Sequence, residues 1–186
     1  VYEDTMDLFI GSEDVIDAYT TPDGLNVTFT SDNESVATVD ADGKVTAVGE
    51  GNATITVSVG GDGVYVLNST TVTVNVGKVT TEILIANETL DLKVLDNVSS
   101  GATLIPDAGN LTYTSSNPDV AIVEDGMIIA LSGGSAVITV SFAGNETYAA
   151  AESKDITVTV SLNDASVDVY EDTMDLFIGS EDVIDA

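Results

Sequence analysis

The chain of 186 residues contains no cysteine, histidine, tryptophan or arginine, and its four basic residues are all lysines. These absences exclude disulfide bridges, thiol chemistry, imidazole catalysis and zinc sites built from cysteine and histidine. They also exclude a nucleophile activated by a histidine base. Paired carboxylates remain, but a glycosidase needs a cleft to hold its substrate between them. We therefore expect a protein that is not an enzyme and binds no organic cofactor.

Positive charge is scarce, and the formal net charge is −28 at pH 7. Such a charge repels phosphate groups, so nucleic acid and anionic membrane surfaces are excluded as partners. No apolar run approaches the roughly 18 residues of a membrane span, so this segment is expected to make no membrane contact. Hydrophobic residues nevertheless make up 44% of the chain. A sequence of this composition can bury a core despite its charge.

Helical periodicity is also missing, and apolar residues alternate with polar ones along most of the chain. In "NATITVSV" the residues Ala53, Ile55, Val57 and Val59 fall on one face, and "TVTVNV" and "DITVTV" follow the same pattern. This alternation is typical of half-buried antiparallel strands. Glycine-containing turn signals such as "DADG" separate the runs. Many short strands at this spacing predict an all-β sandwich fold.

The sequence repeats with a period of about 84 residues. The stretch 25–59 aligns with 109–142, and the 18 residues 1–18 return unchanged at 169–186 as "VYEDTMDLFIGSEDVIDA". The distance between these identical stretches is 168 residues, which is two periods. The repeats predict one domain at 1–77, a second at 78–161, and the first strands of a third at 162–186.

The stretch "SDNESVATVDADGKVTAVGEGNATITVSV" resembles the core signature of bacterial immunoglobulin-like group 2 domains, the modules of intimin- and invasin-type adhesins. The second copy keeps Ser116-Asn117-Pro118 and Val120-Ala121-Ile122-Val123, while Met127-Ile128 replaces the usual Lys-Val. The resemblance implies tandem sandwiches of seven or eight strands each, arranged as an elongated rod. With its many glycosylation sequons, the chain is most similar to the long adhesin-like surface proteins of archaea. The fold itself implies no particular ligand.

Asparagine lies in the sequon Asn-x-Ser/Thr far more often than composition explains. Eight of eleven asparagines do so, against roughly two expected by chance from the serine and threonine content. N-glycosylation implies an extracellular, cell-surface location, and the glycans would shield exposed strand edges. The predicted acceptors are Asn26, Asn33, Asn52, Asn68, Asn87, Asn97, Asn110 and Asn145.

Carboxylates cluster at the junction between the second and third domains. Calcium takes six to eight oxygen ligands, and domain junctions of extracellular arrays often supply them. No EF-hand pattern is present, so calcium at Asp164, Asp168, Glu171 and Asp172 is one interpretation and a solvated acidic surface is the other. Calcium is the one cofactor that the sequence suggests.

These features favour a structural repeat unit of an extracellular, glycosylated stalk, fibre or adhesin shaft, whose partners are neighbouring copies of the same unit. One alternative is a filament subunit joined by donor-strand complementation. The leading strand expected for the first domain, "NDASVDVY", occurs only at 163–170, with Asn163, Val167 and Val169 as candidate donor residues. Another alternative is an adhesin domain that binds a glycan or protein ligand on a cell surface.

Overall fold

A computed structural model describes residues 4–61 and 63–168 of the chain. Strands and their connections make up this part, and it holds no helix that could span a bilayer. Seven strands lie within its first 77 residues: β1 (Thr5–Phe9), β2 (Glu13–Val15), β3 (Val27–Ser31), β4 (Ala37–Val39), β5 (Lys44–Ala47), β6 (Gly51–Val59) and β7 (Asn68–Gly77). We call this set the first sandwich.

Nine further strands follow, and we call them the second sandwich. They are β8 (Glu82–Ile85), β9 (Thr89–Lys93), β10 (Asn97–Ser99), β11 (Ala102–Ile105), β12 (Thr112–Ser115), β13 (Ala121–Glu124), β14 (Met127–Ala130), β15 (Gly134–Phe142) and β16 (Ala151–Ser161). The observed architecture is all-β, as the alternating sequence pattern predicts.

The first sandwich contains a four-stranded sheet in the order β1-β7-β6-β3 and a three-stranded sheet in the order β2-β5-β4. The strands β3, β6 and β7 pair antiparallel, and so do β2, β5 and β4. The pair β1 and β7 is parallel, with Thr5 opposite Thr73 and Phe9 opposite Gly77. Period-two alternation does not reveal this direction, because it is the same for parallel and antiparallel half-buried strands.

The core of the first sandwich forms between the two sheets from the apolar face of each strand. Met6 and Leu8 of β1 are buried in it, and Ile10 packs against it. On β6 the predicted alternation holds for Ala53, Ile55 and Val57, whereas Val59 is only half-buried. Small and β-branched side chains dominate this core, as expected of residues that pack well on a pleated surface.

The second sandwich repeats this arrangement. Its sheets have the orders β12-β15-β16-β9 and β10-β14-β13. The parallel pair recurs between β9 and β16, where Thr89 lies opposite Thr157, which is the register of Thr5 and Thr73 moved by 84 residues. The two additional strands of the second sandwich, β8 and β11, pair antiparallel with each other. The 84-residue sequence period is therefore a structural period as well.

Spatial clustering divides the chain into two compact units. One comprises the chain through Ala86 together with Gly101–Tyr113 and Thr139–Lys154. The other comprises Asn87–Ser100, Thr114–Ile138 and the chain from Asp155 onward.

The hairpin between β4 and β5 forms at the predicted turn "DADG". Asp40 Oδ1 accepts hydrogen bonds from the backbone N–H groups of Asp42 and Lys44, each at 2.9 Å. Gly43 has a φ of 81°, and a Cβ atom placed on it would lie 2.8 Å from Phe29 Cζ and 3.0 Å from Ile16 O. A side chain at this position is therefore excluded both by the backbone conformation and by space.

Gly43→Ala is expected to destabilise the first sandwich more than Gly11→Ala does. Gly11 has a similar φ of 85°, but no atom lies within 4 Å of the place that an added Cβ would occupy. Gly11→Ala should cost roughly 1 kcal/mol through the left-handed backbone alone. Gly43→Ala should cost about 1–3 kcal/mol more, because the methyl group overpacks Phe29 and the Ile16 carbonyl. Urea denaturation measures both, and equal losses would contradict the assignment.

Candidate functional site

The eight sequon asparagines are all solvent-exposed. They occur in turns and connections and on strands such as β6, β7 and β10, where alternate side chains point to solvent. Aligned positions in the two repeats carry acceptors, as with Asn26 and Asn110. Exposure is what an oligosaccharide acceptor requires, and whether sugar is attached stays a prediction.

Asn145 differs from the other acceptors because its side-chain amide is part of a turn. Its Nδ2 donates to the carbonyl of Ala108 at 2.9 Å, and its Oδ1 accepts from the N–H groups of Thr147 and Tyr148 at 3.0 and 2.9 Å. A glycan would be attached to this same Nδ2 atom. Modification of Asn145 would therefore have to precede folding or break the bond to Ala108.

Several carboxylates of the acidic surface hold backbone groups. Asp32 Oδ1 accepts the N–H of Thr54 at 2.7 Å, and Asp96 Oδ2 accepts the N–H of Lys93 at 2.7 Å. Hydrogen bonds of this kind satisfy amide groups at strand ends and turns. Part of the negative charge therefore has a structural use that the sequence pattern did not reveal.

The predicted calcium residues lie partly outside the described residues. Asp164 Oδ2 forms an ion pair with Lys93 Nζ at 2.7 Å, and Asp168 is exposed. Glu171 and Asp172 fall outside the described part, so the calcium site stays a prediction. Within 4–61 and 63–168, no group of three or more carboxylates has an arrangement that could hold a metal ion.

An ion pair links the edge strand β2 to β5. Lys44 Nζ lies 2.7 Å from Glu13 Oε2, and Thr46 Oγ1 lies 3.4 Å from Glu13 Oε1. The hydrogen bond that Lys44 donates lowers the pKa of Glu13 below its ordinary value, and the same bond raises the pKa of Lys44. Both side chains are exposed, so the pair contributes little to stability.

The candidate donor residues lie in an extended, exposed segment that follows β16. Asn163 Nδ2 donates to the carbonyl of Val94 at 3.0 Å, and Val167 is 82% exposed. Val169 lies outside the described residues. The sequence suggested these donor residues but not the surface they would contact.

A groove of about 240 Å³ lies on the first sandwich. It is lined by residues from the segment 18–20 and from β3, β6 and β7, including Thr20, Val57, Val59 and Thr70. Sequence reasoning missed the groove because its walls come from segments up to 50 residues apart in the chain. The half-buried state of Val59 follows from its position in this wall.

Comparison with known proteins identifies one domain. Residues 10–66 match the family model described as bacterial Ig-like domain (group 2). This confirms the resemblance found from the sequence, and the match lies within the first sandwich.

An uncharacterized protein of Clostridium acetobutylicum is 32% identical over 145 residues, which cover 71% of this chain but only 14% of that protein. Among solved structures, surface layer protein SbsC, domains 1–6, is 22% identical with a TM-score of 0.46, and the match covers 77% of this chain and 21% of that one. The immunoglobulin domains 1–5 of Sidekick-1 are 11% identical with a TM-score of 0.41, and the match covers 86% and 38%.

Lys44→Gln is expected to raise the pKa of Glu13 toward its ordinary value, because the hydrogen bond and the positive charge are both removed. The lowered pKa means that the contribution of Glu13 to stability is present above its unfolded pKa and is lost as the pH falls through its folded pKa. Carboxyl titration by NMR measures the pKa of Glu13. Lys154→Gln is the matched control, and a Glu13 pKa that is equal in both variants would contradict the pairing.

Proposed function

Since residues 10–66 are a bacterial Ig-like domain of group 2, we propose that the chain is a structural repeat unit of an extracellular, glycosylated stalk or shaft at a cell surface. Its domains, at 1–77 and 78–161 with a third beginning at 162, are strung end to end as a rod. The unit carries load and distance rather than chemistry, and the proposal assigns it no catalytic step. Its partners are neighbouring copies of the same unit.

The parallel pairing of β1 with β7, repeated between β9 and β16, is the observation that carries this proposal. In each sandwich, tension along the chain pulls an early strand and the last strand in opposite directions along their shared ladder. Such a load shears the hydrogen bonds together, whereas a peeling load would break them one at a time. Each bond is worth only about 1 kcal/mol, so loading five residue pairs at once is what gives resistance.

Two further features support the proposal. The connection from β7 to β8 is only Lys78–Thr81, and connections this short limit articulation between domains. The sequon asparagines and the acidic residues lie on the surface, where glycans and charge keep strand edges and neighbouring copies from pairing at random.

Pulling the first sandwich in shear is expected to require more force than pulling it apart from one end. The chain contains no cysteine, so handles can be attached at engineered cysteines. Handles at Asp4 and Gly77 load the β1–β7 ladder in shear, because these residues lie at opposite ends of it. Handles at Asp4 and Thr71 load the same ladder from one end and serve as the control. Optical tweezers measure the unfolding force of each pair.

Equal unfolding forces in the two geometries would contradict the proposed mechanical role. The comparison uses the same sandwich twice, so a general difference in stability cannot produce the effect. Forced unfolding reports the unfolding rate, which is the relevant quantity for a stalk under tension.

Glycopeptide mass spectrometry of the protein from its native source is expected to find sugar on Asn26 and Asn110. It should find little or none on Asn145, because the Nδ2 of Asn145 is engaged by Ala108. Unmodified peptides at all eight sequons would overturn the glycosylated part of the proposal.

A further inference from the structure

The groove on the first sandwich occupies the place that β8 fills on the second. The residues that line it at 18–20 and in β7 correspond, at an offset of 84, to positions in β11 and at the start of β16. In the second sandwich β11 is a strand whose partner is β8. In the first, the described residues include no strand at 18–21 and none that pairs with it.

The strand β8 contributes a core residue to the second sandwich. Ile83 is 1% exposed and lies opposite Leu104, which is itself buried. The position equivalent to Leu104 in the first sandwich is Thr20, which lines the groove. Phe142 is buried on β15, whereas its equivalent Val59 is only half-buried on β6. The first sandwich is thus open where the second one is closed by an additional strand.

The residues just before β8 make a second contact. The N–H of Val79 donates to the carbonyl of Thr147 at 2.9 Å, and the N–H of Ala149 donates to the carbonyl of Val79 at 2.8 Å. Thr81 Oγ1 donates to the carbonyl of Ala149 at 2.9 Å. The corresponding loop of the first sandwich carries Val66 and Leu67, which are both largely exposed.

A segment that matches β8 and its approach exists further along the chain. At the same offset of 84 residues, Asn163 corresponds to Val79 and Val167 corresponds to Ile83. The segment is extended and exposed, and its apolar Val167 is 82% exposed where Ile83 is 1% exposed. A β-branched side chain of this kind belongs in a core, so the segment is suited to the groove and is not in one.

We propose that the segment Asn163–Asp168 of a second copy binds in this groove as a strand antiparallel to 18–21, so that consecutive units join head to tail by strand addition. The register copies that of β8 and β11, which places Val167 opposite Thr20. This deepens the proposed function, on which it rests, because it names the contact that joins one unit to the next.

The groove is suited to a strand from a highly acidic partner because its lining is uncharged. Backbone hydrogen bonds and the burial of Val167 supply the attraction, while the net charge of −28 on each copy opposes it. Salt screens that repulsion over about 10 Å at 0.1 M ionic strength, so association should strengthen as salt is raised.

Asn68, a predicted glycan acceptor, also lines the groove. A glycan there would compete with the incoming strand. The experiment therefore uses the whole chain produced in a host that does not glycosylate it.

Disulfide trapping tests both the contact and its register. A Thr20→Cys chain is mixed with a Val167→Cys chain and oxidised, with Thr20→Cys plus Asp168→Cys as the matched control. Directly opposed residues have the Cβ separation that a disulfide needs, whereas the neighbouring residue points to the other face. We expect roughly tenfold more crosslinked heterodimer with Val167→Cys than with Asp168→Cys. The double variant Thr20→Cys/Val167→Cys should form a ladder of covalent multimers.

Three outcomes would overturn the proposal: no crosslink, equal crosslinking of 167 and 168, or a double variant that gives only a closed monomer, which would mean that the segment binds its own chain. A second measurement does not depend on oxidation. The peptide "LNDASVDVY" should raise the urea midpoint of the first sandwich, and the same peptide with Val167→Asp should not. Failure of both measurements would leave the stalk proposal standing, since the pulling and glycopeptide experiments do not involve this groove.

Discussion

The parallel ladder between an early strand and the last strand is the constraint on which each sandwich depends. Parallel neighbours cannot be joined by a hairpin, so the chain must travel away from β1 and return to β7 from the same end. The intervening strands build the second sheet on the way, which covers the apolar face that Met6 and Leu8 present. Closure of the core and resistance to tension thus follow from one pairing, and the identical register of β9 and β16 shows that it recurs with the sequence period.

Outside the core, the structure separates packing from charge. Buried positions carry small and β-branched apolar residues, while nearly all acids lie at the surface, where they accept backbone hydrogen bonds or face solvent. Only three ion pairs are found among the described residues, between Lys44 and Glu13, Lys78 and Glu50, and Lys93 and Asp164. Attraction between opposite charges therefore contributes little, and the fold relies on apolar burial and strand ladders.

Most of the fold could be predicted from the sequence, because apolar alternation and turn glycines such as Gly43 are local signals. The 84-residue repeat was also readable, since residues 25–59 return at 109–142. The parallel direction of β1 was not, because alternation carries no information about strand direction. The groove could not be foreseen either. Its walls meet only after folding, and the reason Val59 is half-buried lies in a strand position that has no local mark in the sequence.

The contrast between the two sandwiches argues for how such units join. Copies that each carry a charge of −28 repel one another over most of their surface, so a specific contact must use backbone and apolar groups at an uncharged edge. The groove beside 18–20 is such an edge, and the internal repeat shows what a strand there looks like when it is filled, because Ile83 sits almost fully buried at that place. Acidic repulsion then favours specificity: lateral contacts between shafts are penalised, while the end-to-end contact keeps its ladder of hydrogen bonds and its buried valine.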